Sequence, residues 1–401
     1  MPRGQFYISP GFSPEAVMNN RICMVVYSYY PRDPRVRKEA TALARNGYDV
    51  TVVCLRNAGE AKEETVSGVK VRRLPFRTEK SGGKLRYAYQ YIMFFAMAAC
   101  AVSTAHIRRR FGVIHAHSLP DFIVFTAAFP KITGAKVVLD LHEAMPEIYL
   151  SKMGDRNRDG PLFRLMVAQE KVSMAFADRV VTVSDLIGDI FVERGLPREK
   201  LTIIWNTPDY EKPLAPVSGG GKRLVYAGSM NEFQDFDTVI DGLSELKDVE
   251  LDIFGEGTQV EPLGRKIAER GLKNVRLKGW VDPDRLKGML STYAGAILPS
   301  GGSDVARIAL GNKVLEYSLL GLPVLATDRP GIRAVFDDSC FFFYKVGDPA
   351  DFVRAVRSLL SDDACARRKV LRSQEVIDKK GLTWSRVEGR LVGMYRKLGE
   401  E

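Results

Sequence analysis

Short apolar runs alternate along the chain with longer stretches of helical periodicity. The run Pro34–Asn46 predicts a helix that Gly47 closes. In the first half, the runs that predict strands are Ile22–Tyr27, Asp49–Leu55, Val113–His117, Lys136–Leu141, Arg179–Val183 and Leu201–Trp205. Strands separated by helices are typical of βαβ units with a parallel sheet.

The stretch 207–221 interrupts this alternation, because it holds three prolines and ends in three consecutive glycines. This composition predicts a linker. The alternation then restarts with predicted strands Arg223–Ala227, Val249–Phe254, Asn274–Lys278, Gly295–Leu298, Pro323–Thr327 and Cys340–Tyr344. The predicted helices of this half are Asp235–Leu246, Val260–Arg270, Pro283–Ser291 and Lys313–Leu320. The pattern therefore predicts an α/β protein with two doubly wound domains, whose ligands bind at the carboxyl ends of the strands, with a cleft between the domains as the natural site.

The domain boundaries follow from these patterns. We expect a flexible extension over 1–20, a first domain over 21–206, a linker over 207–221, a second domain over 222–379 and a C-terminal helix over 380–401. The extension has no apolar core of the kind that a signal peptide requires.

Composition adds a globular class and a location for the charge. The 401 residues are 45% hydrophobic and 27% charged, which excludes disorder of the whole chain. Five cysteines without a C-x-x-C pair argue against a disulfide framework or a cysteine zinc site. The net charge is +10, and residues 21–110 hold 18 Lys+Arg and 7 Asp+Glu, a net of +11. This region is expected to seek an anionic partner.

The segment Tyr87–Ile107 has no charged side chain when His106 is neutral. Lys84 and Arg86 precede it, and Arg108–Arg110 follow it. Its length would just span a bilayer, yet the strands on either side belong to one predicted sheet. A buried helix and a helix that lies in the membrane interface therefore both stay open, and both are preferred over a spanning helix.

The strongest local pattern is NKVLEYSLLGLPVLATD at 312–328. Asn312 is expected to cap a short helix that follows the glycine-rich loop 299–303, an arrangement that can receive phosphate. Lys313 would add positive charge there, and Glu316 could accept hydrogen bonds from two ribose hydroxyls. The same sequence is also compatible with an ordinary βαβ unit in which the lysine and the glutamate are solvated and bind no ligand.

The string N-K-x-x-E-Y-x-x-x-G-x-P-V resembles the nucleotide-sugar motif of family 4 (group 1) retaining glycosyltransferases of the GT-B fold. Further segments resemble the polysaccharide-assembly branch of that family. They are the loop and helix start 30–40, HAHSLPD at 115–121, DLHEAMPE at 140–147, VSD at 183–185, and Trp205 with Asn206. Trp384 and Tyr395 fit the terminal helix that packs back on the first domain in that fold. The resemblance implies an acceptor-side Rossmann-like domain followed by a nucleotide-sugar-binding one.

The resemblance also implies roles for individual residues. The catalytic set would be His142 against the transferred sugar, with Arg307 and Lys313 facing the diphosphate. Donor binding would involve Glu316, Asn312, Gly228, Ser229, Gly255 and Val281. The acceptor side would involve Arg32, Asp33, Arg35, His117 and Glu143. No protein nucleophile is expected, because the leaving diphosphate helps to remove the acceptor proton. No metal or cofactor is expected either.

The sequence departs from the family pattern at three positions. Ile308 stands where relatives often carry the first of two glutamates, and Ser229 and Gln234 stand where an Arg and a Lys usually grip the diphosphate. Two alternatives to a transferase therefore stay open. One is a non-catalytic sugar-nucleotide-binding subunit of a glycan assembly complex, and the other is a sugar-nucleotide epimerase.

Three smaller patterns favour structural interpretations. Gly255-Glu256-Gly257 is only a G-x-G, which more often marks a tight turn than a phosphate loop. Asp282-Pro283-Asp284 falls at a helix start, where capping is favoured over Mg²⁺ binding. His115 and His117 share one face of a strand, but no third zinc ligand has an obvious spacing.

The expected partners are a nucleotide-diphosphate sugar, a glycan or lipid-linked acceptor, and an anionic membrane surface. A cytoplasmic protein associated peripherally with the membrane is therefore expected. A nucleic-acid partner is not expected, because the basic region lacks a recognised binding module.

Overall fold

The structure is a computed structural model that describes residues 20–76, 84–153, 158–208, 213–217, 221–308 and 310–400. The predicted extension 1–20 lies outside the described residues except for Asn20. Parts of the predicted linker, residues 209–212 and 218–220, also lie outside them.

The strands of the described chain mostly begin and end within two residues of the predicted bounds. They are β1 (Arg21–Val26), β2 (Asp49–Leu55), β3 (Glu63–Val66), β4 (Val69–Leu74), β5 (Val113–His117), β6 (Lys136–Leu141), β7 (Arg179–Thr182), β8 (Leu201–Ile203), β9 (Arg223–Ala227), β10 (Glu250–Phe254), β11 (Val275–Gly279), β12 (Gly295–Leu298), β13 (Val324–Thr327) and β14 (Phe342–Tyr344). Strands β3 and β4 were not predicted.

The helices fill the intervals between these strands. They are α1 (Pro34–Arg45), α2 (Lys84–Arg109), α3 (Ala128–Ile132), α4 (Met145–Met153), α5 (Pro161–Phe176), α6 (Asp185–Glu193), α7 (Phe236–Leu243), α8 (Val260–Glu269), α9 (Pro283–Leu290), α10 (Asp304–Ile308), α11 (Asn312–Leu319), α12 (Pro330–Arg333), α13 (Pro349–Ser361), α14 (Asp363–Lys379) and α15 (Trp384–Glu400). Short 3-10 helices cover Asp121–Ala127 and Arg198–Lys200.

The strands form two sheets. The eight-stranded sheet has the order β3-β4-β2-β1-β5-β6-β7-β8, and its β3 runs antiparallel to β4. The six-stranded sheet has the order β11-β10-β9-β12-β13-β14, and its neighbouring strands are parallel. Two parallel α/β sheets with helical connections confirm the predicted fold class.

The order of the six-stranded sheet decides where a ligand would bind. From β9 the chain adds β10 and β11 on one side of the sheet, and from β12 it adds β13 and β14 on the other side. The direction in which strands are added therefore reverses between β9 and β12. In open parallel sheets, ligands bind in the crevice at such a reversal, beyond the carboxyl ends of the strands. The loops that follow β9 and β12 therefore frame the candidate donor site. The core beneath them is apolar, with Leu224, Ile253 and Ile297 fully buried.

The described chain divides into two compact units. One comprises residues of 1–116, 123–138 and 392–401, and the other comprises 117–122 and 139–391. The C-terminal turns of α15 belong to the first unit, where the Tyr395 hydroxyl lies 2.7 Å from His115 Nδ1. The domain boundaries expected from the sequence stay a prediction.

The predicted linker includes an ordered stretch. Leu214 donates its backbone N–H to the carbonyl of Leu319 (2.7 Å), and Val217 donates to Gly321 (2.8 Å). A Cβ atom at Gly321 would lie 2.2 Å from the carbonyl oxygen of Ala215. Position 321, two residues beyond the end of the motif helix α11, must therefore be glycine, because the chain passes directly over it.

Candidate active site

The loop after β9 is stabilised by its own side chains. The Gln234 side-chain oxygen accepts from the N–H of Asn231 (3.0 Å), and the Asn231 side-chain oxygen accepts from the N–H of Phe233 (3.0 Å). Ser229 Oγ accepts from Asn231 Nδ2 (3.3 Å). Ser229 and Gln234, which stand where the family resemblance leads one to expect an Arg and a Lys, are thus neutral side chains that form hydrogen bonds within their own loop. Gly228, Ser229 and Gln234 can offer a ligand hydrogen bonds here but no positive charge.

The G-x-G segment after β10 packs backbone against backbone on this loop. Gly255 and Gly257 have φ angles of 136° and 152°, which L side chains rarely adopt. A Cβ at Gly255 would lie 1.9 Å from the Gly228 carbonyl oxygen, and one at Gly257 would lie 1.9 Å from that of Met230. The close backbone approach explains both glycines, and the choice between a tight turn and a phosphate loop stays a prediction.

The glycine-rich loop after β12 connects to the same place. Gly301 donates its N–H to the Phe233 carbonyl and Asp235 donates to that of Pro299, each at 2.6 Å. Ser303 then caps α10 by accepting from the N–H of Ala306 (3.2 Å). Helix α10 carries Arg307, whose side chain is exposed. The reversal point of the sheet is therefore framed by two hydrogen-bonded loops with an arginine on the short helix that follows.

A second arginine lies next to this loop and was missed in the sequence. Arg329 follows β13, and its Nη2 lies 3.6 Å from where a Cβ of Gly302 would be. Burial lowers the pKa of the Arg329 guanidinium, Asp235 opposes this, and the charge of Arg307 lowers the pKa further. Its buried Nε has no hydrogen-bond partner among the described residues. The charges of the two arginines thus influence each other, and an anion bound beside both would relieve their repulsion.

The motif helix α11 begins at Asn312, one residue earlier than expected. Gly311, in extended conformation, is the N-cap, and no side chain caps the helix. The prediction that Asn312 is the N-cap was wrong, because Asn312 already has helical conformation and is the first exposed residue of α11. The helix is anchored instead by Tyr317, whose buried hydroxyl accepts from the N–H of Ala227 at the end of β9 (2.8 Å).

Lys313 and Glu316 face each other on α11. Lys313 Nζ lies 2.7 Å from Glu316 Oε2, and both side chains are partly exposed. A half-exposed lysine–glutamate pair of this kind can separate when a ligand supplies phosphate to one partner and hydroxyls to the other.

The loop after β11 lies beside the G-x-G turn. Gly255 donates its N–H to the carbonyl of Gly279 (2.8 Å), and Trp280 and Val281 follow. Trp280 is exposed, and Val281 is half-buried. Asp282 accepts from the N–H of Arg285 (3.3 Å) at the start of α9, which confirms the capping interpretation of this aspartate.

Two predicted residues, His117 and His142, lie next to Asp140 at the end of β6. The Asp140 carboxylate oxygen Oδ2 lies 3.3 Å from His117 Nδ1 and 3.3 Å from His142 Nε2. The backbone N–H of His142 donates to Ser118 Oγ (3.2 Å). His117 is fully buried, whereas His142 is partly exposed and can reach a ligand. Glu143, the next residue, is exposed.

A cavity of about 610 Å³ lies within the second unit and has Arg307 in its lining. Its other charged residues are Glu147, Arg158, Glu193 and Arg194. Arg194 donates to Glu147 (2.5 Å) and to Glu170 (2.7 Å), and all three side chains are largely buried. These groups were not predicted as site residues, although Glu147 belongs to one of the resembling segments.

Two carboxyl groups behind this cavity have unusual pKa values. Burial raises the pKa of Asp121 to about 8, with Glu170 adding to the rise and Arg194 opposing it. Burial also raises the pKa of Glu170 to about 7, against the lowering effect of Arg194. At neutral pH, the interior next to the cavity therefore holds a protonated Asp121.

The first unit holds the other acceptor-side candidates. Asp33 is the N-cap of α1 and accepts from the N–H of Val36 (3.2 Å). Arg35 is buried and pairs with Glu39 at 3.1 Å, so it does not belong to a solvated helix face. Arg32 is exposed and remains the member of this group that a ligand can reach most easily.

Comparisons with known proteins identify the family to which the chain belongs. Residues 33–207 match the family model described as glycosyl transferase 4-like domain, and residues 221–362 match that of glycosyl transferases group 1. Together, the two matches cover most of the chain. The chain belongs to the group 1 glycosyltransferases. A comparison with curated proteins finds no match.

Solved structures give the fold of this glycosyltransferase as GT-B. Sucrose-phosphate synthase from Thermosynechococcus elongatus superposes with a TM-score of 0.76 at 15% identity, over 94% of this chain and 98% of that one. HepE of Anabaena with UDP-glucose gives 0.69 at 15% identity, over 94% and 99%. The lipopolysaccharide outer core galactosyltransferase WaaB gives 0.60 at 13% identity, over 90% and 98%.

Proposed function

We propose that this glycosyltransferase takes its sugar from a nucleoside diphosphate donor bound at the reversal point of the six-stranded sheet. The observation that carries the proposal is the arginine pair Arg307 and Arg329 beside the glycine-rich loop. Two neighbouring cations that repel each other form a site for the two phosphates of such a donor. These two arginines would take over the role of the Arg and Lys that usually stand at the positions of Ser229 and Gln234.

The nucleoside would be held by the remaining parts of the loops. Glu316 would accept from two ribose hydroxyls, and Lys313, released from its pair with Glu316, would face the diphosphate. The backbone near Val281 would read the base, while Gly228 and Gly255 allow close approach. HepE is described in complex with UDP and with UDP-glucose, which supports uridine as the first base to test.

The transfer itself would proceed with retention of configuration. The bond from the anomeric carbon to the diphosphate breaks, and the acceptor oxygen bonds to the same face of the sugar. The acceptor proton passes to the leaving diphosphate oxygen, so that no protein nucleophile is needed. Arg307 and Arg329 would stabilise the charge that develops on the diphosphate, and His142, oriented by Asp140, would hold the sugar. The acceptor would be a glycan hydroxyl, carried on a lipid.

Donor binding tests the first step without knowledge of the acceptor. A thermal-shift and calorimetry panel of UDP-, GDP- and ADP-sugars should find one donor that raises the melting temperature. Glu316→Ala should weaken its binding about tenfold or more, because hydrogen bonds to a charged acceptor are lost. Glu388→Ala, a change in the distant helix α15, is the matched control. Failure of the whole panel, or unchanged affinity in Glu316→Ala, contradicts the proposal.

Slow hydrolysis of the bound donor tests the stereochemistry. The anomer first released, observed by NMR before it equilibrates, should match the donor's configuration. Release of the opposite anomer contradicts retention. A changed sugar still attached to the nucleotide would identify an epimerase, and no turnover of a tightly bound donor in the presence of glycan acceptors would indicate a binding subunit.

A further inference from the structure

Helix α2 has an unusual exposed face. One side packs within the first unit, where Phe94 is buried and its ring lies 5.1 Å from that of Tyr27. The opposite side is solvent-exposed but carries no charged residue for about 30 Å, from Tyr87 to Ile107. Tyr89 is 59% exposed, Ile92 60% and Ile107 64%. A helix on the surface of a soluble domain normally presents charged or polar residues to water.

Length and composition alone would allow the segment Arg86–Arg109 to cross a membrane. Its packing argues for a different placement. Arg72 donates to the carbonyl of Ala101 (3.3 Å), and the Tyr27 hydroxyl donates to Gln90 (3.3 Å), so the inner face is bonded to the sheet of its own unit. A helix that keeps these bonds can meet lipid only with its outer face.

Helix α3 extends this face beyond the end of α2. His106 Nε2 lies 2.8 Å from Thr133 Oγ1, and the His106 ring makes an edge contact with Phe129 at 6.1 Å. Phe129 is exposed, and Ile132 is 86% exposed. We name the exposed residues Tyr87, Tyr89, Ile92, Ile107, Phe129 and Ile132 the α2–α3 surface.

Basic side chains stand next to the α2–α3 surface. Arg108, Arg109 and Arg110 are exposed, and none of the three forms an ion pair with another described residue. Arg108 and Arg109 also line a cavity of about 440 Å³ with Lys70 and Arg72. Glu63 and Glu64 line this cavity as well. Lys70 pairs with Asp49, Arg72 with Glu63, and Glu64 with Arg73, so the two arginines of α2 supply the unbalanced charge.

We propose that the α2–α3 surface docks on a membrane that contains anionic phospholipid. The tyrosines and isoleucines enter the interfacial layer, and Arg108–Arg110 bind headgroup phosphates, of which the 440 Å³ cavity can accept one. A second copy of the chain fits this surface less well, since two copies would bring their arginine clusters together. This inference does not depend on the proposed donor chemistry.

Flotation of the purified full chain with liposomes tests the docking. The protein should float with vesicles of phosphatidylcholine mixed with phosphatidylglycerol, and less at high salt or with phosphatidylcholine alone. Replacing Arg108, Arg109 and Arg110 by Gln should lower the partition coefficient on the order of tenfold or more, while replacement by Lys should preserve it. Ile107→Ser with Ile132→Ser should lower it as well.

Helix α14 offers matched controls, because Arg367, Arg368, Arg372 and Leu371 are also exposed. The triple Arg→Gln change there removes the same charge, and Leu371→Ser removes an apolar side chain that is 49% exposed. Absence of flotation at low salt overturns the proposal, as does an equal loss in the α14 variants. A dimer in solution that the Ile→Ser changes dissociate, with flotation unchanged, would assign the surface to a second copy instead.

Discussion

The second unit contains two groups of charged side chains that differ in what neutralises them. Arg194 is enclosed between Glu147 and Glu170, and the three side chains are at most 13% exposed. Around the sheet reversal, Lys313 and Glu316 are partly exposed. Burial and the charge of Arg307 lower the pKa of Arg329, whereas Asp235 and Asp328 oppose this, and Asp328 already pairs with Arg333. The first group is enclosed with its counter-charges, whereas the second is open to solvent and can exchange partners with an anionic ligand.

This difference separates structural from functional charge. Removing one member of a buried, balanced group leaves an uncompensated charge in the interior, so the effect appears in stability. Removing one of two half-exposed cations that repel each other costs the fold little. Its effect should appear when an anion binds or when negative charge develops.

The largest effect is expected for the buried group. Arg194→Met leaves Glu147 and Glu170 without their partner and should lower the free energy of unfolding by about 3–5 kcal/mol. Urea denaturation measures this change. The control is Arg198→Met, since Arg198 pairs with Asp189 at the surface and should matter by about 1 kcal/mol or less. Equal, small losses in both variants would show that the Arg194 group is not a balanced interior network.

The next effect concerns turnover. Arg329→Met and Arg307→Met should each slow donor hydrolysis about tenfold to hundredfold, because the leaving diphosphate loses a cation. Donor affinity should change less, and the melting temperature of the unliganded protein should hardly change. Arg354→Met, an exposed arginine of α13, is the control. If both site variants retain full turnover, the diphosphate is held elsewhere.

The sequence predicted the central strands of the two sheets better than the strands at one edge of the eight-stranded sheet. Five strands have the predicted bounds, because buried parallel strands are continuous apolar runs. Strands β3 and β4 were missed because both lie toward the sheet edge and alternate with charge, as in Glu63, Glu64, Lys70 and Arg72. Such a pattern resembles a polar loop until its partner strand is known.

Residues of the candidate site could be predicted from the sequence only where they belong to one continuous motif. The string at 312–328 identified Lys313 and Glu316, but Arg329 lies just past it, and its closeness to Arg307 arises from two separate strands meeting at one sheet edge. Likewise, the sequence showed that Ser229 and Gln234 lack charge, but not that both side chains hold their own loop together. Contacts between separate elements are set by the fold, which local spacing does not encode.

The smallest effect tests whether the interior around Arg194, Glu147 and Glu170 is shielded from water. Asp121 is 1% exposed and neither of its carboxyl oxygens has a hydrogen-bond partner among the described residues, so burial raises its pKa from 3.8 to about 8. A carboxyl with a raised pKa in the folded state binds its proton more tightly there than in the unfolded chain. Its contribution to stability is full below pH 4 and is lost as the pH rises toward 8.

Asp121→Asn should remove this dependence. The amide resembles the protonated acid in shape, so the variant and the native protein should differ least near pH 5. With rising pH, the native protein should lose stability relative to the variant by up to about 1.4 kcal/mol per pH unit, less what Glu170 compensates by taking the proton. Melting temperatures at pH 5, 6 and 7 measure the divergence, with Asp363→Asn, an exposed residue, as the control. Parallel curves would mean that water reaches Asp121, and that the charges around Arg194 are solvated like those at the reversal of the sheet.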